Sequence, residues 1–500
     1  MSVLGIDYGT TNIVAAIINQ FGNVKVIPSA EGEDYIPSVF CFEDGEKPIV
    51  GREAENLRLA HPDSIISESK LNLGSNKVLH ITKSGKAYTA SDLAAVALKK
   101  VRKDCELFLG EGIDGVVISV PANFTDAQKQ DLLDAAKIAG FKVLQLVNEP
   151  TAAAIAYSVE KRNDLKLMVV DFGGGTFDVS IAQCEDQSVK VLGTDGIADL
   201  GGRLFTKEIS DRVLTVLKDE IGFVPNPETD HAFFQDLNDR AEQAKFSLGV
   251  KESTKITICA NGKYHTVELT RDDFNEMICP FIEKMLAKCE SLLQECNLDW
   301  DSIDKVLLVG GGSKVPKIKE ELELVYGRPV SQDIDGMKAI AFGAAINAAV
   351  LAADKDGNVV HQGRAIPAPN VEIRDVTSYG IGCVVDDPNR DDICAVILPK
   401  HSPIPSQKEE CFRFKYPDQT AASIVILQGE EGDLRSECEE IGEITLTDLP
   451  LDETLSERIL VRYEIDKNGM CTAYAEDKIS DKKADIQFDY SKRVNRASAS

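Results

Sequence analysis

Apolar positions over residues 3–353 follow two rhythms. Short runs, clearest at 3–6, 116–120, 167–170 and 306–309, have the length and β-branched content of buried strands. Longer stretches at 126–139, 205–217, 271–295 and 338–353 repeat apolar residues at helical spacing. Strands alternating with helices of this length predict an α/β arrangement with helices packed on sheets. The rhythm changes after residue 361, where "GRAIPAPNVEIRDV" is irregular and carries prolines. Short β-rich pieces follow, separated by the turn signals "DDPNRDD", "YPDQ" and "DKNG". The pattern predicts an α/β domain over 1–367, a linker at 368–376, an all-β sandwich over 377–490 and a frayed polar tail at 491–500.

Composition narrows the partners. The chain has 500 residues, 43% hydrophobic and 27% charged, enough for several well-buried cores. With 82 acidic against 55 basic residues the net charge is −27, a field that repels phosphate backbones and anionic membranes, so neither nucleic acid nor a membrane is expected as a partner. The opening "MSVLGID" is too soon interrupted by charge for a signal peptide, and no apolar run reaches the roughly 18 residues of a membrane span, so the expected address is the cytoplasm. The 12 cysteines show neither a C-x-x-C pair nor zinc-ligand spacing, which predicts reduced thiols in cores.

Two short segments carry the chemistry. "GIDYGTTN" (residues 5–12) and "VDFGGGTFDVSI" (170–181) share one plan: an apolar strand, an aspartate, an aromatic, a glycine turn and a threonine. Glycine weakens a strand, so three in a row mark a bulge or a close approach by a ligand or another backbone. Such a turn can donate N–H groups and a hydroxyl to phosphate oxygens at short range. The aspartate ending each strand would repel a triphosphate unless a divalent cation with its waters lay between them. One turn of this kind could equally be sheet packing. Two of them, each following a strand, suggest a duplicated unit that clamps a Mg-nucleotide.

Further segments give the pattern a family. "VPANFTDAQKQ", "VNEPTAAAIAY", "VGGGSKVPKI", "ILQGE" and "YEIDKNGMCTAYAEDK" occur with the two turns in an order and spacing that resembles the heat-shock 70 (DnaK-like) chaperones, from residue 1 to about 490. The resemblance implies a two-lobed, actin-like ATPase domain built from duplicated ribonuclease-H-type units, followed by a β-sandwich that binds peptides. It implies ATP or ADP with Mg2+, and possible K+, as cofactors. It places Mg2+ at Asp7 and Asp171. The terminal phosphates would lie between Gly9, Thr10, Thr11 and Asn12 on one side and Gly173, Gly174, Gly175 and Thr176 on the other. "SKLNLG" resembles the family's catalytic-lysine segment and nominates Lys70, whose ammonium would orient the attacking water. Glu149 and Asp178 are candidates for ordering waters or a monovalent ion, with a buried structural role as the alternative for each. Gly201 and Gly202 match the glycine pair that follows.

For the nucleoside, "AEQAKFSLG" implies Glu242 and Lys245 at the ribose, and Gly311, Lys314 and Val315 bordering the adenine. Phe246 stands where the family has an arginine stacked on the base, so stacking would use a ring without its cation. Pro121 and Lys129 resemble the family's proline switch and relay base. Arg203 and Leu204 replace acidic residues, which departs from the monovalent-ion site, and Gln145 replaces an arginine that docks J-domain co-chaperones. A J-domain co-chaperone and a nucleotide-exchange factor are nevertheless the implied partners, beside unfolded or extended polypeptide.

In the sandwich, the resemblance implies a peptide pocket at Ile381, Val384, Phe412, Ala422 and Ile424, positions that would otherwise read as ordinary core. The linker keeps Val371, Ile373 and Val376 in alternation, so it could add as an edge strand to the ATPase lobe. Family members commonly continue into a helical lid, and the sequence given ends ten polar residues after Tyr490; without a lid, peptide would bind weakly and leave fast. The expectation is an ATP-hydrolysing chaperone. The alternative is a nucleotide-gated peptide-binding or scaffold module with little turnover, and a small-molecule kinase would leave the β domain unexplained.

Overall fold

Each half of the α/β region is organised around one strand with a hairpin on one side and a parallel neighbour on the other. In the computed structural model, which describes residues 2–43, 45–161, 164–185, 187–386 and 392–487, β1 (Ser2–Tyr8) turns back into β2 (Asn12–Ile18), and β2 pairs with β3 (Val24–Ile27). On its other edge β1 runs parallel to β4 (Ile113–Val120), and β4 to β5 (Val143–Asn148). In the second half β6 (Leu165–Phe172) turns back into β7 (Phe177–Glu185) and runs parallel to β8 (Lys305–Val309). The repeated motif is thus matched by repeated topology.

Parallel neighbours require crossover helices. α1 (Ala90–Leu109) leads to β4, α2 (Asp126–Ile138) joins β4 to β5, and α3 (Glu149–Lys161) joins β5 to β6. α1 begins at Thr89, whose side chain and that of Asp92 cap each other's backbone, and stops at Gly110 with φ 69°. The second half adds α4 (Gly202–Ile221), α5 (His231–Leu248), α6 (Arg271–Glu295), α7 (Pro316–Tyr326) and α8 (Ala339–Ala352). The four helical stretches expected from apolar spacing all form.

The alanine-rich character of α3 and α8 has a steric cause. A Cβ on Gly343 of α8 would lie 1.7 Å from the Ala152 carbonyl oxygen of α3, and a Cβ on Gly5 of β1 would lie 2.0 Å from the Ala345 nitrogen of α8. Only glycine fits at either contact, and the buried alanines around them keep the backbones close. The "NEPTAAAIAY" wording therefore encodes a helix crossing.

Contacts divide the chain into two units, 1–190 with 195–373, and 374–500 with Val191–Thr194. The division at Ile373 falls inside the expected linker. In the first unit Val371 is buried in the core that contains Val189 and Leu307, Ile373 packs against it, and the Glu372 N–H donates to the Gln187 carbonyl at 2.8 Å.

The second unit is a pair of four-stranded antiparallel sheets. One has the order β10 (Ile393–Leu398), β9 (Gly380–Val385), β12 (Ala422–Gly429), β13 (Glu439–Leu446), and the other β11 (Ser406–Arg413), β14 (Glu457–Ile465), β15 (Cys471–Asp477), β16 (Lys482–Gln487). The Tyr463 hydroxyl of the second sheet donates to the Gly382 carbonyl of the first at 2.8 Å. Residues 488–490 of the expected sandwich, the 491–500 tail and most of the "DDPNRDD" turn lie outside the described residues. All described cysteines are free thiols.

Candidate nucleotide site

The two glycine-threonine turns meet. A Cβ on Gly174 would lie 2.2 Å from Thr11 Oγ1, and one on Gly175 would lie 2.9 Å from Thr10 Oγ1, so the threonine side chains of one turn pack on the bare glycines of the other. Each turn is also closed on itself: the Gly9 N–H donates to the Asn12 carbonyl and the Gly173 N–H to the Thr176 carbonyl, both at 3.0 Å. The glycine run thus makes room for the Thr10 and Thr11 side chains as well as for any ligand. Gly175 lies off the cleft wall, against Thr10 and Leu71, and Gly201 is held against the Gly174 carbonyl.

A cleft of about 830 Å3 opens beside the turns. It is lined by Asp7, Gly9, Thr10, Thr11 and Asn12 from the first half, and by Asp171, Gly173, Gly174, Thr176 and Gly202 from the second. Lys70 and Glu149 form its floor, and Glu242, Lys245, Phe246, Gly311, Lys314 and Val315 line the remainder. The structure therefore gathers most of the residues expected from sequence into one concavity, in the size range of small-molecule sites. Asp178 is not among them; its Oδ1 accepts the Ala122 N–H at 2.8 Å behind the turn.

Charge is concentrated on the floor. Lys70, in the short helical turn Ser69–Asn72, is 3% exposed and places Nζ 2.7 Å from Glu149 Oε1 at the start of α3. The Lys70 ammonium also sits 5.4 Å from the centre of the Phe124 ring. Asp7 is pushed up to about 7, by burial first and then by the Glu149 carboxylate, against the pull of Lys70 and a hydrogen bond from Ser119. Burial, then the Glu149, Asp178 and Asp7 carboxylates, hold Asp171 well above the usual carboxylate range. Gly310, with φ 82°, leaves no room for a side chain, since a Cβ would lie 2.4 Å from Asp171 Oδ1.

Asp171 Oδ1 is buried without a hydrogen-bond partner, an orphaned acceptor that a cation or its water would satisfy. Among the described residues no cluster of three or more His, Cys, Asp or Glu could hold a metal alone. Two carboxylates and a set of phosphate-facing turns suit Mg2+, which keeps several waters and shares its coordination with substrate phosphates.

At the nucleoside end Lys245 is drawn down into the protein. Its Nζ donates to Thr206 Oγ1 at 2.8 Å and to the Gly202 carbonyl at 3.2 Å, with Glu242 Oε1 at 3.7 Å, and burial lowers its pKa. Phe246 is 54% exposed, its ring centre 5.2 Å from Lys245 Nζ, which leaves a face open for stacking. Asp34, Tyr35, Met337 and Lys338 also line the cleft and carry no motif. Lys338 Nζ lies 2.7 Å from Asp34 Oδ2, an ion pair joining the two halves. Gln145 accepts from Asn347 Nδ2 at 3.3 Å, and Lys129 pairs with Asp126 at 3.7 Å.

In the second unit the five expected pocket residues are divided. Ile381 and Ile424 are buried and Val384, Phe412 and Ala422 half-buried. Ile381 pairs with Gln428, so strand alternation puts it on the face shared by Ile424 and Ala422, with Val384 out of phase and Phe412 in the other sheet.

No helix among the described residues is long and apolar enough to cross a membrane. The family model described as Hsp70 protein matches residues 3–499, essentially the whole chain. Its members are in general ATP-dependent chaperones that bind ATP or ADP with Mg2+, unfolded polypeptides and co-chaperones. With paired phosphate-type turns over a buried lysine, a following β-sandwich and this match, the chain belongs to the Hsp70 family.

Proposed function

We propose that the chain hydrolyses ATP in the cleft of its first unit and binds extended hydrophobic polypeptide in its second. The observation that carries the reading is the contact of the Thr10–Thr11 and Gly174–Gly175 turns in the cleft that the buried Lys70–Glu149 pair also lines.

Backbone N–H groups and the Thr10, Thr11 and Thr176 hydroxyls would hold the terminal phosphates, with Asp7 and Asp171 holding hydrated Mg2+. When bound, Mg2+ would neutralise charge on those phosphates. Lys70 Nζ, fixed by Glu149, would donate to the attacking water and to the terminal phosphate. As the water oxygen bonds to the terminal phosphorus, the bond to the bridging oxygen breaks, ADP leaves with that electron pair, and the water proton passes to the phosphate. Positioning and electrostatics supply most of such catalysis. Glu242 and Lys245 would contact the ribose, and Phe246 would stack on the base opposite Gly311, Lys314 and Val315. In the sandwich, Ile381, Ala422 and Ile424 would contact an apolar peptide side chain, with Val384 and Phe412 at its margin. A J-domain protein and an exchange factor are the proposed partners.

The test compares ATP turnover with and without an unfolded hydrophobic peptide, in wild type and Lys70→Ala. Peptide-stimulated turnover that the substitution abolishes supports the reading. Tight ATP binding with negligible hydrolysis by wild type would instead assign a nucleotide-gated scaffold.

A further inference from the structure

Two thiols meet in the second unit. Cys394, in the edge strand β10, is fully buried, and its thiol donates a hydrogen bond to half-buried Cys438, in the connection from β12 to β13. Both sulfurs rest on glycine. A Cβ on Gly382 of β9 would lie 2.7 Å from Cys394 Sγ, and one on Gly429 of β12 would lie 2.4 Å from Cys438 Sγ. Gly382 stands opposite Leu427 and Gly380 opposite Gly429, so Gly382 and Gly429 are diagonal neighbours on one face of the sheet. Cys394 pairs with Val384 and shares that face, whereas Cys383 alternates to the other.

The backbone around the two sulfurs is tied as well. The Cys394 N–H donates to the Asp433 carbonyl, the Gly432 N–H to the Cys394 carbonyl and the Arg435 N–H to the Asp392 carbonyl, all at 2.9 Å. Ile393 and Leu434 form an antiparallel bridge. The connection thus runs along the edge of β10 that β9 leaves open, and an open strand edge is a template for pairing with another chain. Among the described residues no group of three or more His, Cys, Asp or Glu could hold a metal ion, which leaves the pair its own two-sulfur chemistry.

We propose that Cys394 and Cys438 are a redox site, at which hydrogen peroxide joins the two sulfurs in a reversible disulfide that fastens the β12–β13 connection over the edge of β10. Cys438 is the sulfur that reacts first, because Cys394 has no exposed surface and burial pushes its thiol up to about 12. Burial raises Cys438 too, but the hydrogen bond from Cys394 pulls it back. The Cys438 thiolate attacks one peroxide oxygen, the O–O bond breaks and hydroxide leaves, giving a sulfenic acid. Cys394 then attacks the Cys438 sulfur, the S–O bond breaks, and the departing hydroxide takes up the Cys394 proton. Two thiols and one peroxide become one disulfide and two waters. A dithiol reductant returns both thiols, after which only hydrogen bonds cover the edge.

The test treats the full chain with hydrogen peroxide, blocks remaining thiols, and maps unreduced proteolytic peptides by mass spectrometry. A peptide pair linked through Cys394 and Cys438 is expected as the main cross-link, lost on adding dithiothreitol. Amide exchange over 392–398 and 430–438 should slow by about tenfold or more on oxidation and recover on reduction. Cys438→Ser should lose both effects. Cys394→Ala should leave Cys438 as a sulfenic acid that dimedone labels, which a merely buried thiol would not give. Should either variant fail to fold, the wild-type map and its exchange rates decide alone. No linked pair, a link of Cys394 to Cys383 in its place, or exchange that oxidation leaves unchanged would overturn the proposal.

Discussion

Lys70 Nζ and Glu149 Oε1 stand 2.7 Å apart in the cleft lined by the two phosphate-type turns, and both side chains are buried. A pair so deeply placed is weak support for stability by itself, yet removing one partner strands a charge. It fixes the ammonium where a terminal phosphate would arrive.

Lys70→Ala is therefore expected to slow single-turnover ATP cleavage by about 10²–10³-fold while leaving Mg-ADP bound. It should also destabilise the first unit by about 3–5 kcal/mol, since Glu149 loses its counter-charge. Adding Glu149→Gln should recover much of the stability and none of the rate. Urea unfolding followed by Trp300 fluorescence, the chain's single tryptophan, separates the two effects.

Asp171→Asn should move two observables in opposite directions. Burial and three neighbouring carboxylates already oppose ionisation of Asp171, so a neutral isostere relieves the nucleotide-free protein and raises its melting temperature. The same change removes an oxygen charge from the expected Mg2+ site, and Mg-dependent nucleotide affinity should fall by roughly 10- to 100-fold. Thermal shift with and without Mg-ADP measures both. A lower melting temperature for the free variant would contradict this account of the site.

In the sandwich, Arg458 donates Nε to Asp477 Oδ1 at 2.6 Å and a terminal nitrogen to Oδ2 at 2.7 Å, both residues being fully buried. These bonds pull Asp477 down to about 2, against about 3.9 for an unfolded aspartate. Because the folded pKa is depressed, the stabilisation is complete above about pH 4 and is lost as pH falls through about 2, a change of about 2–3 kcal/mol. Hydrogen exchange of peptides covering β14 and β15, after incubation at pH 5, 3 and 2, should show protection fading across that window. Asp477→Asn should be weakly protected throughout.

Ile373 packs on the first unit's core beside buried Val371. Ile373→Asp places a charge against that surface, and the segment should detach, losing exchange protection at Glu372, whose N–H now reaches Gln187. If the linker reports nucleotide state, peptide stimulation of ATP turnover should vanish in the same variant. Unchanged protection and unchanged stimulation would count against docking.

The two turns were legible from sequence because their chemistry is local: an aspartate, glycines and a threonine within a few residues, twice. The reason for the glycines was only partly legible. Gly174 and Gly175 clear space for Thr11 and Thr10, which are more than 150 residues away in sequence and declare no partnership there. Asp34 and Lys338 escaped notice for the same cause, since a loop residue and a helix-start residue become a pair only through the fold. Asp178 has the right type and spacing for the cleft and stands opposite Asp171 across the hairpin, but its Oδ1 is taken by the Ala122 N–H, a partner that only the fold supplies. The sandwich was legible as texture, whereas the division of Ile381, Val384 and Phe412 among faces depended on register.

The contact of Gly343 with the Ala152 carbonyl leaves the two halves with a fulcrum of bare backbone. Packed peptide groups deform far less readily than long side chains, so motion there is confined to rolling about the point of touch rather than sliding. β1 bears on the same helix at Gly5, and α3 begins at Glu149, so a few degrees of roll would be read out directly as a change in the gap between the opposed threonine and glycine turns.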